Sequence, residues 1–160
     1  MANYRVYYQH WGDRHIYRVP LDASGKGEEI IGTQDYLGGL SVSPDGKMLA
    51  VPVHEQVHRE ATARIALFQV DSSNPPRMLD ATLYASKVQF TPDGKSVAYA
   101  IGEKGVGNVW VQPIDGSAGR AVTDFKSEQI WSFSLSPDGK NLAVLRGHWD
   151  SDVVLLQESK

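Results

Sequence analysis

FSLSPDGKNLAV (residues 133–144) is the last of three near copies in this chain, after LSVSPDGKMLAV (40–51) and VQFTPDGKSVAY (88–99). Their prolines, Pro44, Pro92 and Pro137, stand 48 and 45 residues apart. A second motif keeps the same step: IYRVPLD (16–22), IALFQVD (65–71), VWVQPID (109–115) and VVLLQ (153–157) begin 49, 44 and 44 residues apart. Two independent motifs sharing one period leave chance a poor explanation. A period near 45 with strand-like content is the range of propeller blades.

Each unit reads as four strands. In the third, residues 87–91 alternate polar and apolar as an inner strand does. Pro92-Asp93-Gly94-Lys95 then forms a hairpin turn: Pro presets φ, Asp bonds neighbouring amides and Gly accepts positive φ. Residues 96–101 form the second strand, 102–107 a glycine-rich connection, and 108–112 a third strand rich in Val and Trp. Asp115-Gly116 turns the chain into a short outer strand at 119–123. The same parse gives 38–42, 48–53, 63–70 and 77–79 in unit two. Unit one has 4–9, 15–19 and 28–31 with no inner strand before them; unit four has 130–135, 141–145 and 152–157 with no outer strand after them. The expectation is an all-β fold: a single partial β-propeller of about four blade units, at 1–34, 35–83, 84–125 and 126–160, whose first and last blades are incomplete. The start at Met1-Ala2, just before a second-position strand, reads as a fragment boundary.

The 160 residues suit one domain. The absence of Cys excludes a disulfide framework, a thiolate zinc site and a cysteine nucleophile. With 16 basic and 19 acidic residues, a net charge of -3 gives no electrostatic reason to expect nucleic acid or an anionic membrane as partner. No apolar run approaches the ~20 residues that span a bilayer. The opening MANYRVYYQHWGDR lacks the basic segment and apolar core of a signal peptide.

The SPDGK hairpins, followed by a strand and turn of the type VWVQPIDG, resemble the TolB-type, WD40-like β-propeller repeat. More narrowly, residues 107–156 resemble the C-terminal end of the propeller region in bacterial serine/threonine kinases and TolB-like winged-helix regulators. That resemblance implies a non-enzymatic sensory or protein-interaction platform, in parent proteins often extracytoplasmic, with a protein or peptide ligand and no cofactor. Neither kinase motifs nor a winged helix occur in this chain.

Blades stack face to face, so an isolated set of four would leave two apolar end faces and free strand edges, which favour association. The units could close as a small ring. The preferred expectation is that two copies join head to tail, a homodimer in which each chain covers the other's ends.

The connections between second and third strands gather the unusual side chains: His10-Trp11-Gly12-Asp13, His54-Glu55-Gln56-Val57-His58 and His148-Trp149-Asp150. His10, Trp11, His148 and Trp149 could form part of a ligand patch, because Trp offers a large contact area beside polar neighbours; the preferred reading makes them covers of blade edges. His54 and His58 match the HExxH pattern, in which two imidazoles on one helical face hold zinc while Glu polarises its water. Here the motif follows one strand and precedes another, with no third ligand fixed, so a solvated loop is preferred, and His54 and His58 remain the metal candidates. No catalytic residue is assigned: there is no G-x-S-x-G elbow, no phosphate loop and no calcium loop. Trp110 and Trp131 are expected in the core.

Overall fold

The computed structural model describes residues 5–10, 13–22, 25–54, 63–81 and 87–150. Among them are four antiparallel sheets and no helix. Sheet one runs β1 (Arg5–Tyr8), β2 (His15–Pro20), β3 (Glu28–Gly32). In sheet two, β4 (Tyr36–Leu37) and β5 (Ser41–Val42) both pair with β6 (Met48–His54), followed by β7 (Ala63–Gln69) and β8 (Arg77–Asp80). Sheet three is β9 (Val88–Phe90), β10 (Ser96–Glu103), β11 (Val106–Pro113) and β12 (Arg120–Ala121); sheet four is β13 (Gln129–Leu135) and β14 (Leu142–Gly147). Residues 152–157, expected as a strand of unit four, lie outside the described residues.

The repeated turns are built alike. In the first, the Ser43 hydroxyl donates to Asp45 Oδ1 (2.6 Å) and accepts from the Met48 amide (2.9 Å), while the Lys47 amide donates to the same Asp45 oxygen (3.1 Å). Thr91, Asp93, Lys95 and Ser96 repeat this, as do Ser136, Asp138, Lys140 and Asn141. The residue before each Pro is therefore as necessary as the Pro-Asp-Gly itself. A Cβ built on Gly94 would lie 3.6 Å from Pro44 Cδ, and one on Gly139 3.6 Å from Pro92 Cγ, so successive turns abut on one face of the stack. Gly94 has φ 69. Gly94→Val is expected to lower stability by about 1 kcal/mol or more through that backbone conformation; an unchanged melting temperature would contradict it.

The hydroxyls of Ser43, Thr91 and Ser136, then the lysine amides, hold the carboxyls of Asp45, Asp93 and Asp138 below their usual values. A folded-state value lowered in this way lends stability above the ordinary aspartate pKa of about 3.9 and withdraws it as pH falls through the folded values. The melting temperature should thus fall in acid, and fall less in the variant carrying Asp45→Asn, Asp93→Asn and Asp138→Asn. Equal acid slopes in the two proteins would overturn this.

Two local expectations need correction. The glycine-rich connection expected over residues 102–107 is shorter: β10 and β11 pair as far as Glu103↔Val106, leaving Lys104 (φ 50) and Gly105 (φ 81) as a two-residue turn. Two positive φ values are those of a type I′ hairpin, whose twist matches the strands. The inner strand expected at 38–42 is split into β4 and β5, with Gly39 between them in a parallel bridge to Lys87.

Side-chain parity shows how the sheets stack. Along β6, Leu49 and Val51 join Ile16 of sheet one, whereas Ala50 joins Val88, Phe90, Val97 and Tyr99 of sheet three. Along β10, Val97 and Tyr99 face sheet two, whereas Ala98 and Ala100 pack with Phe133 of sheet four. Both faces of an interior sheet are therefore apolar, as face-to-face stacking of blades demands and as a two-layer sandwich, with one solvated face per sheet, does not. Sheets one and two are also clamped by a charge triad: Arg18, its side chain 10% exposed, donates to Glu28 Oε2 (2.8 and 3.2 Å) and to Asp71.

Candidate functional site

Apolar clusters among the described residues join sheet one to two, two to three and three to four, and none joins four to one. Among the described residues the stack therefore has two ends, with His10 at one and His148 and Trp149 at the other.

At the first end, the pairing of Tyr8 with Tyr17 puts both on the outer face of sheet one, opposite the face on which Tyr7 and Ile16 pack toward sheet two. The two rings stack at 5.4 Å. His10 meets both edge-on, at 5.5 Å from Tyr8 and 5.9 Å from Tyr17. His15 lies 6.3 Å from Tyr17, and its Nδ1 is 3.0 Å from Glu29 Oε1. Burial, and after it the Asp13 carboxylate, push the Tyr17 phenol above its usual value. Tyr4, Tyr7, Tyr8 and Tyr17 are expected from the sequence to pack the faces of unit one; Tyr4, like Trp11, lies outside the described residues.

At the other end, Trp131 (47% exposed), Leu145 (57%) and Trp149 (82%) present apolar surface. The rings of Trp131 and Trp149 are 5.5 Å apart. An open cleft of about 310 Å³ on β13 and β14 is lined by Ser132, Ser134, Ala143 and Leu145 among others. His148 sits between two carboxylates, Nε2 3.2 Å from Asp150 Oδ2 and Nδ1 3.8 Å from Glu128 Oε1. Trp131 is thus not a core residue. The inward face of β13 is filled by Ile130 and Phe133, and an irregularity in register between Ile130 and Ser132 turns Trp131 outward. Trp110 packs partly buried against the core between sheets two and three, as expected. His10 follows the edge strand of sheet one and His148-Trp149 follows β14 of sheet four, two sheets that no apolar cluster joins among the described residues.

His54 is the last residue of β6, a strand rather than a helix, and burial pushes its imidazole below the usual value. Glu55 and His58 lie outside the described residues. No group of three His, Cys, Asp or Glu side chains placed to hold a metal occurs among the described residues, and no helix there is long and apolar enough to cross a membrane. The stacking of Tyr8 on Tyr17 and the open cleft of sheet four escaped the sequence reading. Tyr8 and Tyr17 belong to different strands, and only their register shows that they meet.

No protein-family model matches the chain. A TolB-type protein of Agrobacterium tumefaciens superposes with a TM-score of 0.69 at 22% identity, over 90% of this chain and 49% of that one. The fold is that of a TolB-like β-propeller. Its blades also superpose on a prolyl endopeptidase (TM-score 0.62, 21% identity, 91% of this chain and 25% of that one) and on the tricorn protease (TM-score 0.60, 18% identity, 89% and 14%). In sequence, the chain is 29% identical over 158 residues to dipeptidyl-peptidase 5 of Porphyromonas endodontalis, covering 97% of this chain and 22% of that protein. It therefore spans about half of the TolB-type structure and about a fifth of the peptidase: a partial propeller.

Proposed function

We propose that these TolB-like blades form a non-enzymatic protein-interaction scaffold that, as an isolated chain, self-associates head to tail, the outer face of sheet four of one copy covering the outer face of sheet one of the next. The supporting observation is the pair of uncovered ends: Trp131, Leu145 and Trp149 at one, the stacked Tyr8 and Tyr17 with Val6 (37% exposed) at the other. Interior sheets of the same chain bury such faces completely, down to 0% exposure at Leu49 and Val97. Association would remove the remaining apolar surface from water. In the closed pair, the His10 cluster and His148-Trp149 of different copies would become neighbours. Sedimentation equilibrium should show a concentration-dependent mass of two chains; one chain at every concentration would overturn the reading.

The identity to dipeptidyl-peptidase 5 favours a second reading, in which the blades serve a peptidase as a non-catalytic part. Release of dipeptides from a test peptide by the isolated chain would show instead that catalysis lies within it.

A further inference from the structure

Two clefts open between neighbouring sheets, where the third and fourth strands of one meet the third strand and following turn of the next. The cleft between sheets one and two measures about 550 Å³, and that between sheets two and three about 480 Å³. Both volumes suit a small molecule. The repeat aligns their linings. Arg18 and Leu67 are the third residues of IYRVPLD and IALFQVD, whereas Asp71 and Asp115 are the seventh of IALFQVD and VWVQPID. In the ladder Arg18 stands opposite Glu28, and Leu67 opposite Arg77.

In the first cleft the charges pair within the chain: Arg18 bridges Glu28 beside it and Asp71 of the next sheet. The second cleft has a different set. Leu67 takes the place of Arg18, Arg77 takes that of Glu28, and Asp115 remains where Asp71 stood. Arg77 and Asp115 are bonded to neutral groups. The Arg77 guanidinium donates to the main-chain carbonyl of Asp115, not to its carboxylate. A Cβ on Gly116 would lie 2.8 Å from Arg77 Nη2, so glycine leaves room for the guanidinium across that turn. Asp115 Oδ1 accepts from the Ser117 hydroxyl (2.6 Å) and amide (2.8 Å). The Ser117 hydroxyl first, then its amide, hold the Asp115 carboxyl below its usual value, so it is charged at neutral pH. The remaining walls are apolar: Met48, Leu67, Pro75 and Ile114.

We infer that the cleft between sheets two and three is a binding site for a free apolar α-amino acid, with its carboxylate on Arg77, its ammonium beside Asp115 and its side chain against Met48, Leu67, Pro75 and Ile114. The bound ammonium supplies the cation that Arg18 supplies in the neighbouring cleft. Guanidinium matches carboxylate in planar geometry. A carboxylate lacking the amine would face the charge of Asp115 uncompensated, and an amine lacking the carboxylate would face that of Arg77. The cleft lies between two interior sheets, so binding does not depend on whether copies of the chain pair.

The probe is L-leucine, titrated into the whole chain by isothermal calorimetry, and saturable binding is expected. Isocaproate lacks its amine, isoamylamine its carboxylate and glycine its apolar body. Each should bind about tenfold or more weakly, the effect of one lost charged hydrogen bond or one unburied side chain. Arg77→Gln should erase the preference for leucine over isoamylamine, and Asp115→Asn the preference over isocaproate. Asparagine keeps an oxygen for Ser117, and both positions are exposed, so melting temperatures should hold. In the unaltered chain, the Leu67 methyl resonances should move with leucine while those of Val109, between sheets three and four, stay; this decides the matter should a variant fail to fold. No saturable binding, a fragment that binds as well as leucine, preferences that survive the substitutions, or unmoved Leu67 methyls would overturn the proposal.

Discussion

Phe133→Ala is expected to destabilise the protein by about 3–5 kcal/mol, the range for truncating a fully buried aromatic side chain. Phe133 is 2% exposed and packs with Ala98, Ala100 and Val109 of sheet three, three residues with short or branched side chains on strands held by their ladders. Such walls have little freedom to collapse into the space left behind, which puts the cost toward the upper part of the range. The loss is also local in its consequence. The apolar side chains of sheet four pack on those of sheet three, so the change should expose the amides of β13 and β14 to hydrogen exchange before those of β6 and β10. Urea denaturation and exchange together check this. A loss below 1 kcal/mol, or exchange rising equally in all sheets, would show that the four sheets do not stack as described.

The second large effect concerns association. Trp131→Glu and Leu145→Glu each place a carboxylate on the outer face of sheet four, where Trp131 and Leu145 are about half exposed. Changes at such exposed positions usually shift the stability of the single chain by no more than about 0.5 kcal/mol. In a junction made by that face, the same carboxylate would be buried without a partner, a cost of several kcal/mol. The expected result is an unchanged melting temperature at low concentration together with a mass reduced from two chains to one. Variants that still pair would move the junction elsewhere.

The turns were legible because their chemistry is local. Ser/Thr-Pro-Asp-Gly-Lys closes on itself through side chain and backbone, and three copies at one spacing announce three blades. Strand positions on either side followed from apolar alternation. The two-residue turn at Lys104-Gly105 escaped because a run of glycines reads as a break in a strand, and only the partner strand shows that pairing continues to its tip. Trp131 misled for a related reason: a tryptophan entering a strand favours burial in general, but a shift of register by one residue moves a side chain to the opposite face. Of the candidate residues, His10 and His148-Trp149 are placed at the ends of the stack, while Trp11, Glu55 and His58 lie outside the described residues.

The sequence by itself determined the repeat, the turns, the all-β class and the alternation that makes each interior sheet apolar on both sides, since these depend on residues within a few positions of one another or on a period along the chain. The tertiary structure alone decided which faces remain uncovered among the described residues and which aromatic rings meet. Those properties arise between blades some 45 residues apart, where register and side-chain direction, rather than composition, determine what each group touches.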